Sequence, residues 1–160
     1  MLKRLPFVLA FLVVSSILLG DTNQYDLKTL LKIPERVDVA GREVALKTHM
    51  YLNLMPMVRS KDEPKGTPLV LRVWLTIKPE ETTPSANLRI EHVWVINGTE
   101  IWEQRPTNEK DPFFKDAVIA RGLVNWKSLD KVDVVVKFVN NATGEQYMIR
   151  AAKQFVRSAM

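Results

Sequence analysis

Residues 68–78 read Pro-Leu-Val-Leu-Arg-Val-Trp-Leu-Thr-Ile-Lys, with a hydrophobic side chain at every second position from Leu69 to Ile77. Successive side chains of a β-strand point to opposite faces, so this period of two predicts a strand with one buried face. The opposite face carries Arg72, Trp74, Thr76 and Lys78. The same alternation recurs in residues 131–139, at Val132, Val134, Val136 and Phe138.

The chain on either side of this stretch divides, from residue 36 onward, into similar short segments bounded by Pro, Gly, Asn and Asp. We predict eight strands: Arg42–Lys47, His49–Val58, Pro68–Lys78, Asn87–Ile96, Thr99–Arg105, Ala117–Gly122, Lys131–Val139 and Gln146–Ala151. The predicted fold class is all-β, an antiparallel β-sandwich of about 7–8 strands with immunoglobulin-like or related topology. A small closed barrel is the alternative, because strand counting does not show whether a sheet closes.

Two tight turns indicate that neighbouring strands pair in antiparallel fashion. Asn97-Gly98 has the residue types of a type I′ turn, in which both central residues take positive φ. Residues 140–144, Asn-Asn-Ala-Thr-Gly, form a second short connection. Neither turn is long enough for the crossover that a parallel pair requires, so a parallel sheet is not expected there.

The first 20 residues have the pattern of a signal peptide. Lys3 and Arg4 precede an apolar run of about 15 residues, shorter than the roughly 20 that a membrane-spanning helix needs. An uncleaved anchor is the alternative, because Leu18-Leu19-Gly20 matches a processing site poorly. We therefore predict a periplasmic or secreted protein, with a signal peptide at 1–20, an N-terminal arm or short helix at 21–35 and one β-sandwich domain at 36–160.

Composition narrows the classes of function. The chain contains no cysteine, which excludes thiol catalysis, thiolate metal sites and a bacterial lipoprotein anchor. Its formal net charge is +5, from 23 basic and 18 acidic side chains. Basic and acidic residues alternate along the chain without a basic stripe, so we predict no nucleic-acid partner. A membrane partner is expected only if the N-terminal segment is uncleaved.

The segment 49–57, His-Met-Tyr-Leu-Asn-Leu-Met-Pro-Met, is the candidate metal site. Thioether and imidazole ligands suit Cu(I), and His49, Met55 and Met57 share one face of an extended strand. His49 and Met57 would lie roughly 26 Å apart in a straight strand, so Pro56 would have to bend the chain. The alternative is that the methionines fill the core and His49 is a polar residue at a strand edge.

No motif in the sequence indicates catalysis. The chain contains no Gly-x-Ser-x-Gly, His-Glu-x-x-His or Gly-x-x-x-x-Gly-Lys sequence, and His92 has no partner at zinc-ligand spacing. The paired carboxylates Glu80-Glu81 and Glu100 with Glu103 are typical of solvated loops and hairpins. We predict that the protein is not an enzyme and has no cofactor.

Aromatic residues are the better indication of binding. Trp74 lies on the polar face of its strand and Trp102 follows a turn, and an exposed tryptophan on a sheet commonly anchors a protein partner or a sugar ring. The alternative is that a loop covers them. The predicted function is that of an exported, non-catalytic module that binds a protein or cell-envelope component, with loops 60–67, 79–85 and 105–112 or a sheet edge at the interface. A periplasmic copper-binding protein is the second hypothesis, and the oligomeric state stays open.

Overall fold

The computed structural model describes residues 25–56, 61–62, 64–78, 87–107, 109–114 and 116–159, which are mostly β. Nine strands in this part of the chain form two sheets, so the predicted all-β sandwich is confirmed. The strands are β1 Arg36–Val39, β2 Arg42–Asn53, β3 Thr67–Lys78, β4 Leu88–Asn97, β5 Glu100–Gln104, β6 Val118–Val124, β7 Lys131–Asn140, β8 Gln146–Phe155 and β9 Arg157–Ala159. The predicted signal peptide at 1–20 lies outside the described residues.

The first sheet has the order β1-β2-β3-β6, with every neighbouring pair antiparallel. Strand β9 joins the same sheet, parallel to the end of β2. The prediction of two strands on either side of Thr48 is wrong, because β2 runs unbroken from Arg42 to Asn53. Thr48 is a polar residue in the inward row of side chains, where its hydroxyl bonds the Gln154 side chain at 2.7 Å, and it interrupts the alternation that would have revealed one long strand.

The second sheet has the order β5-β4-β7-β8 and is antiparallel throughout. The predicted hairpin after β4 is present, but its turn residues are Gly98 and Thr99, because Asn97 pairs with Glu100. Gly98 has φ +61°, whereas Asn97 and Thr99 do not have positive φ. A positive φ at the first central position alone is the signature of a type II′ turn, so the predicted type I′ turn is wrong.

Hydrophobic side chains from the inward faces of both sheets form the main core. Burial of these groups is the dominant stabilising contribution, and truncating one buried Leu or Ile to alanine typically costs about 2–5 kcal/mol. The fully buried members include Leu69, Leu71 and Val73 of β3, Val93 and Val95 of β4, and Val134, Val136 and Phe138 of β7. The alternation seen in the sequence of β3 and β7 therefore does face this core.

A short helix covers the outer face of the second sheet. Helix α1, Leu27–Leu31, begins after Asp26, whose side chain accepts a hydrogen bond from the Thr29 backbone N–H at 2.7 Å. Such a cap satisfies a backbone donor that the first turn leaves unpaired. The helix places Leu30 in a second, smaller core with Trp94, Ile96 and Val135. The middle of the second sheet is thus buried on both faces.

The chain passes from the second sheet to the first between β8 and β9. Between them, Val156 is buried, donates to the Asp130 carbonyl at 3.0 Å and accepts from the Leu129 N–H at 2.7 Å. This crossing closes one lateral side of the sandwich.

The strand order is related to that of an immunoglobulin domain but differs from it. Here β2 pairs with β3, whereas the second strand of an immunoglobulin constant domain pairs with the fifth.

None of the helical residues in the described ranges forms a segment with the length and hydrophobicity of a transmembrane span.

Candidate functional site

The outer face of the first sheet is partly covered by the connection between β5 and β6. Near its start, Thr107 donates its backbone N–H to the Ile119 carbonyl at 2.7 Å, and Glu109 forms an ion pair with Arg121 at 2.9 Å. Both partners belong to β6, so the connection lies against that strand. We call residues 105–107, 109–114 and 116–117 the covering segment.

A buried ion pair attaches the covering segment to β3. The Asp111 carboxylate accepts a hydrogen bond from Nε of Arg72, and both side chains are buried. The other Asp111 oxygen accepts the backbone N–H groups of Phe113 and Phe114, at 2.7 and 2.8 Å. Burial alone would raise the pKa of Asp111, but the bonds from Arg72, Phe113 and Phe114 outweigh it and lower that pKa. The carboxylate is therefore ionised and holds the turn at 111–114 in one shape.

Aromatic rings surround the Arg72 guanidinium. Its central carbon lies 5.3 Å from the centroid of Tyr51, 5.9 Å from that of Phe114 and 6.0 Å from that of Phe113. Cations at such distances are attracted to the negative face of a ring. Phe114 also stacks on Trp74, with centroids 4.9 Å apart. We call this set of Tyr51, Arg72, Trp74, Phe113 and Phe114 the aromatic cluster.

Phe113 is the exposed member of the aromatic cluster. Its side chain is 79% exposed, although its backbone is fixed by the bond from its N–H to Asp111. An exposed phenylalanine on a backbone already fixed loses little conformational freedom when a partner covers it. The geometry therefore offers a preformed apolar contact on this face of the sheet.

The structure separates the two tryptophans that the sequence singled out. Trp74 does lie on the outer face of β3, partly buried beneath Phe114, which agrees with the alternative that a loop covers it. Trp102 is only 8% exposed and belongs to the main core, so the expectation that it is exposed is wrong. Its indole packs on Gly122, where an added Cβ would lie 2.7 Å from Nε1. The lack of a side chain at Gly122 is what admits the ring.

Of the three proposed copper ligands, the structure describes His49 and Met55. His49 Nδ1 lies 3.5 Å from a guanidinium nitrogen of Arg72, and its ring packs 5.5 Å from Phe114. Burial, and then the positive charge of Arg72, lower the pKa of His49, so its imidazole is neutral at pH 7. Met55 is 59% exposed, and Met57 lies outside the described residues. A cation next to the imidazole disfavours a second cation there.

Other polar groups are dispersed over the molecule. His92 Nε2 lies 2.6 Å from Glu103 across the β4–β5 hairpin, beside the Trp94 ring, which agrees with a partly buried structural histidine. Glu80 and Glu81 lie outside the described residues. Within the described ranges, no three His, Cys, Asp or Glu side chains are close enough to hold a metal ion together.

Comparison of the chain with protein-family models, with curated proteins and with solved structures finds no match.

Sequence reasoning named Trp74 and the loop 105–112, but it did not single out Asp111 within that loop or reach Phe113. Residues 108–111, Asn-Glu-Lys-Asp, resemble an ordinary solvated turn, and Phe113-Phe114 follow it without any alternation. One signal was available, because Arg72 lies in the middle of a strand whose other charged residue, Lys78, is at its end, and it requires a counter-ion if that face is covered.

Proposed function

We propose that this chain is an exported, non-catalytic β-sandwich module that binds a protein of the cell envelope through the outer face of the first sheet. The observation that carries the proposal is Phe113, the 79% exposed member of the aromatic cluster, whose backbone N–H is held by the buried Asp111 carboxylate. Export is inferred from the apolar run in residues 5–19 and its basic flank. This surface would supply the partner-binding role that we assigned to Trp74 and Trp102.

The arrangement has the composition of a binding hot spot. Protein interfaces concentrate their free energy in a few aromatic and arginine side chains surrounded by weaker polar contacts. The aromatic cluster combines rings with a guanidinium, and the exposed Glu109–Arg121 ion pair and Lys47 lie on the same face. The ring of Trp74 packs beneath Phe114 and is itself only partly exposed to solvent.

The role of the covering segment is to set the position of Phe113. Two bonds fix the segment on the sheet: the Thr107 N–H donates to the Ile119 carbonyl near its start, and Arg72 donates to the Asp111 carboxylate near its middle. A partner would therefore meet a surface that needs little rearrangement, which improves affinity by reducing the entropy lost on binding. The proposal therefore requires that Asp111 hold Phe113 in position. Non-specific hydrophobic adsorption through an exposed phenylalanine would not require this.

The test compares Phe113→Ser with Asp116→Ala, a control at an exposed position of the same segment. The full chain is cross-linked in envelope extract of the source cells, the partner is identified and purified, and its Kd is measured by calorimetry. We expect Phe113→Ser to weaken binding by about tenfold or more, or roughly 1.4 kcal/mol. Equal Kd values for the two variants would refute the proposal, as would the absence of any specific cross-linked protein.

Copper binding by His49, Met55 and Met57 stays a prediction with weaker support. The neutral imidazole of His49 is available as a ligand, but it faces the Arg72 cation. Titration of the purified protein with Cu(I) under reducing conditions, followed by the methionine methyl resonances, tests this alternative. Unshifted Met55 and Met57 signals would end it.

A further inference from the structure

The turn at residues 127–130 presents an apolar side chain at its tip. Leu129 is 73% exposed and has φ +71°, a conformation that a bulky residue rarely adopts. Phe155, at the end of β8, is 53% exposed. Strained backbone at an exposed apolar residue is unfavourable for stability alone, and strain of this kind concentrates at functional sites.

Hydrogen bonds hold this turn in place. One Asp130 carboxylate oxygen accepts the backbone N–H of Lys127 and the Asn97 side-chain amide, each at 3.0 Å. The Leu129 N–H bonds the Val156 carbonyl at 2.7 Å. Hydrogen bonding by Lys127 and Asn97 lowers the pKa of Asp130, so the carboxylate stays charged and keeps these bonds. The exposed leucine is therefore presented on a rigid turn.

Two segments that are distant in sequence meet at this place. The backbone bonds of Val156 with Leu129 and Asp130 join residues 127–131 to residues 153–157, and Lys131 lies opposite Phe155 in the β7–β8 pairing. The Lys131 ammonium is 5.4 Å from the centroid of the Phe155 ring. The two segments carry three lysines, Lys127, Lys131 and Lys153, and one acidic side chain, Asp130, whereas Arg157 pairs with Tyr51 of the aromatic cluster. We call the exposed Leu129 and Phe155 with these three lysines the Leu129–Phe155 patch.

We propose that the Leu129–Phe155 patch binds the surface of an anionic phospholipid bilayer. Exposed apolar side chains next to lysines are the elements of interfacial membrane binding, in which the rings and alkyl groups enter the headgroup region while the ammonium groups contact lipid phosphates. The positive charge of the patch complements an anionic leaflet. A leucine at the tip of a turn is convex, and a fluid bilayer accommodates it without the matching cavity that a protein partner would need.

This surface is separate from the one in the proposed function, so the two proposals succeed or fail independently. The aromatic cluster lies on β2, β3 and the covering segment, whereas the patch lies at the start of β7 and the end of β8. A chain that binds an envelope protein through Phe113 would use the patch to lie against the membrane at the same time.

The test places a fluorescent reporter inside the patch of the full-length chain. The protein has no native cysteine, so Ser128→Cys gives a single labelling position for an environment-sensitive NBD probe. The apolar run at 5–19 can bring the chain to any bilayer, and a probe at 128 reports specifically whether the patch enters it. Thr143→Cys, in the turn at the opposite end of β7, is the matched control position.

Labelled protein is mixed with vesicles of phosphatidylcholine alone or with about 30 mol% phosphatidylglycerol added, which supplies anionic headgroups. We expect blue-shifted emission that rises about twofold or more for the probe at 128 on anionic vesicles only, and that falls at high salt. The probe at 143 should not respond. Leu129→Asn should reduce the response at 128 while keeping the fold, because asparagine tolerates the positive φ of this position.

Three results with vesicles would overturn the proposal: no response at 128 on anionic vesicles, an equal response on neutral vesicles, or an unchanged response in Leu129→Asn. A response that appears only with an envelope protein extract, and not with lipid, would assign the patch to a protein partner and would also overturn it. Loss of partner binding in Phe113→Ser with the lipid response intact would show that the two surfaces act separately.

Discussion

Replacing Asp111 by alanine removes the carboxylate that contacts the buried Arg72 guanidinium and the acceptor for two backbone N–H groups. Removing one partner of a buried ion pair typically costs about 3–5 kcal/mol, because the other charge is left without compensation. The covering segment lies at the surface, where water can reach the freed N–H groups of Phe113 and Phe114. We therefore expect the lower end of the range, a loss of about 3 kcal/mol in the free energy of unfolding.

Urea denaturation at pH 7, followed by tryptophan fluorescence, measures this loss. For a urea dependence of about 2 kcal/mol per molar, the midpoint should fall by roughly 1.5 M. The control is Asp116→Ala, which removes an exposed carboxylate from the same segment and should change stability by less than about 0.5 kcal/mol. The double variant Arg72→Met with Asp111→Leu should be more stable than Asp111→Ala, because it leaves no buried charge.

Two results would refute this reasoning. If Asp111→Ala loses less than about 1 kcal/mol, or no more than Asp116→Ala, the ion pair is not what holds the covering segment. If the double variant is the least stable of the set, the cost comes from lost packing of the aromatic cluster and not from an unpaired guanidinium.

Further predictions concern acid, the core and a turn. The pKa of Asp111 is lowered in the folded state, so its carboxylate stabilises the protein at pH values above its unfolded pKa of about 3.9. As the pH drops below that value, the urea midpoint should therefore fall less in Asp111→Ala than in wild type. Gly122→Ala should lose about 1–3 kcal/mol in thermal unfolding, because its Cβ meets Trp102, and an unchanged melting temperature would contradict that packing. Ala40→Gly should raise stability by about 0.5–1 kcal/mol, because Ala40 has φ +53°, whereas the control Ala142→Gly, whose φ is not positive, should not.

The sandwich could be predicted from sequence because the alternation in β3 and β7 is nearly free of exceptions. Strand prediction failed where a polar side chain lies in the inward row, as Thr48 does. The sequence does not show that the Gln154 side chain is there to accept the hydrogen bond of its hydroxyl. Strands β1 and β9 are short and are fixed by pairing with β2, so they carry no periodic signal of their own. Local pattern therefore identified long strands and missed those that depend on a distant neighbour.

Prediction of the candidate site was weaker for the same physical reason. The period of two predicted the outward position of Trp74. It did not predict that Phe114 would cover this ring, because the covering segment comes from another part of the chain. Trp102 was misjudged because its burial depends on the missing side chain of Gly122 on the opposite sheet. The Leu129–Phe155 patch was invisible in the sequence, where its basic residues belong to two separate segments of mixed charge.

The crossing of the chain from β8 to β9 has a consequence for the order in which the molecule forms. Thr48 contacts Gln154 across a separation of 106 residues, and β9 completes the edge of β2. Contacts between such distant residues form slowly, because the entropy of closing a long loop must be overcome before they contribute. The edge of β2 stays incomplete on the ribosome until residues 157–159 emerge. Under the proposed export, this delay would leave time for translocation of an unfolded chain.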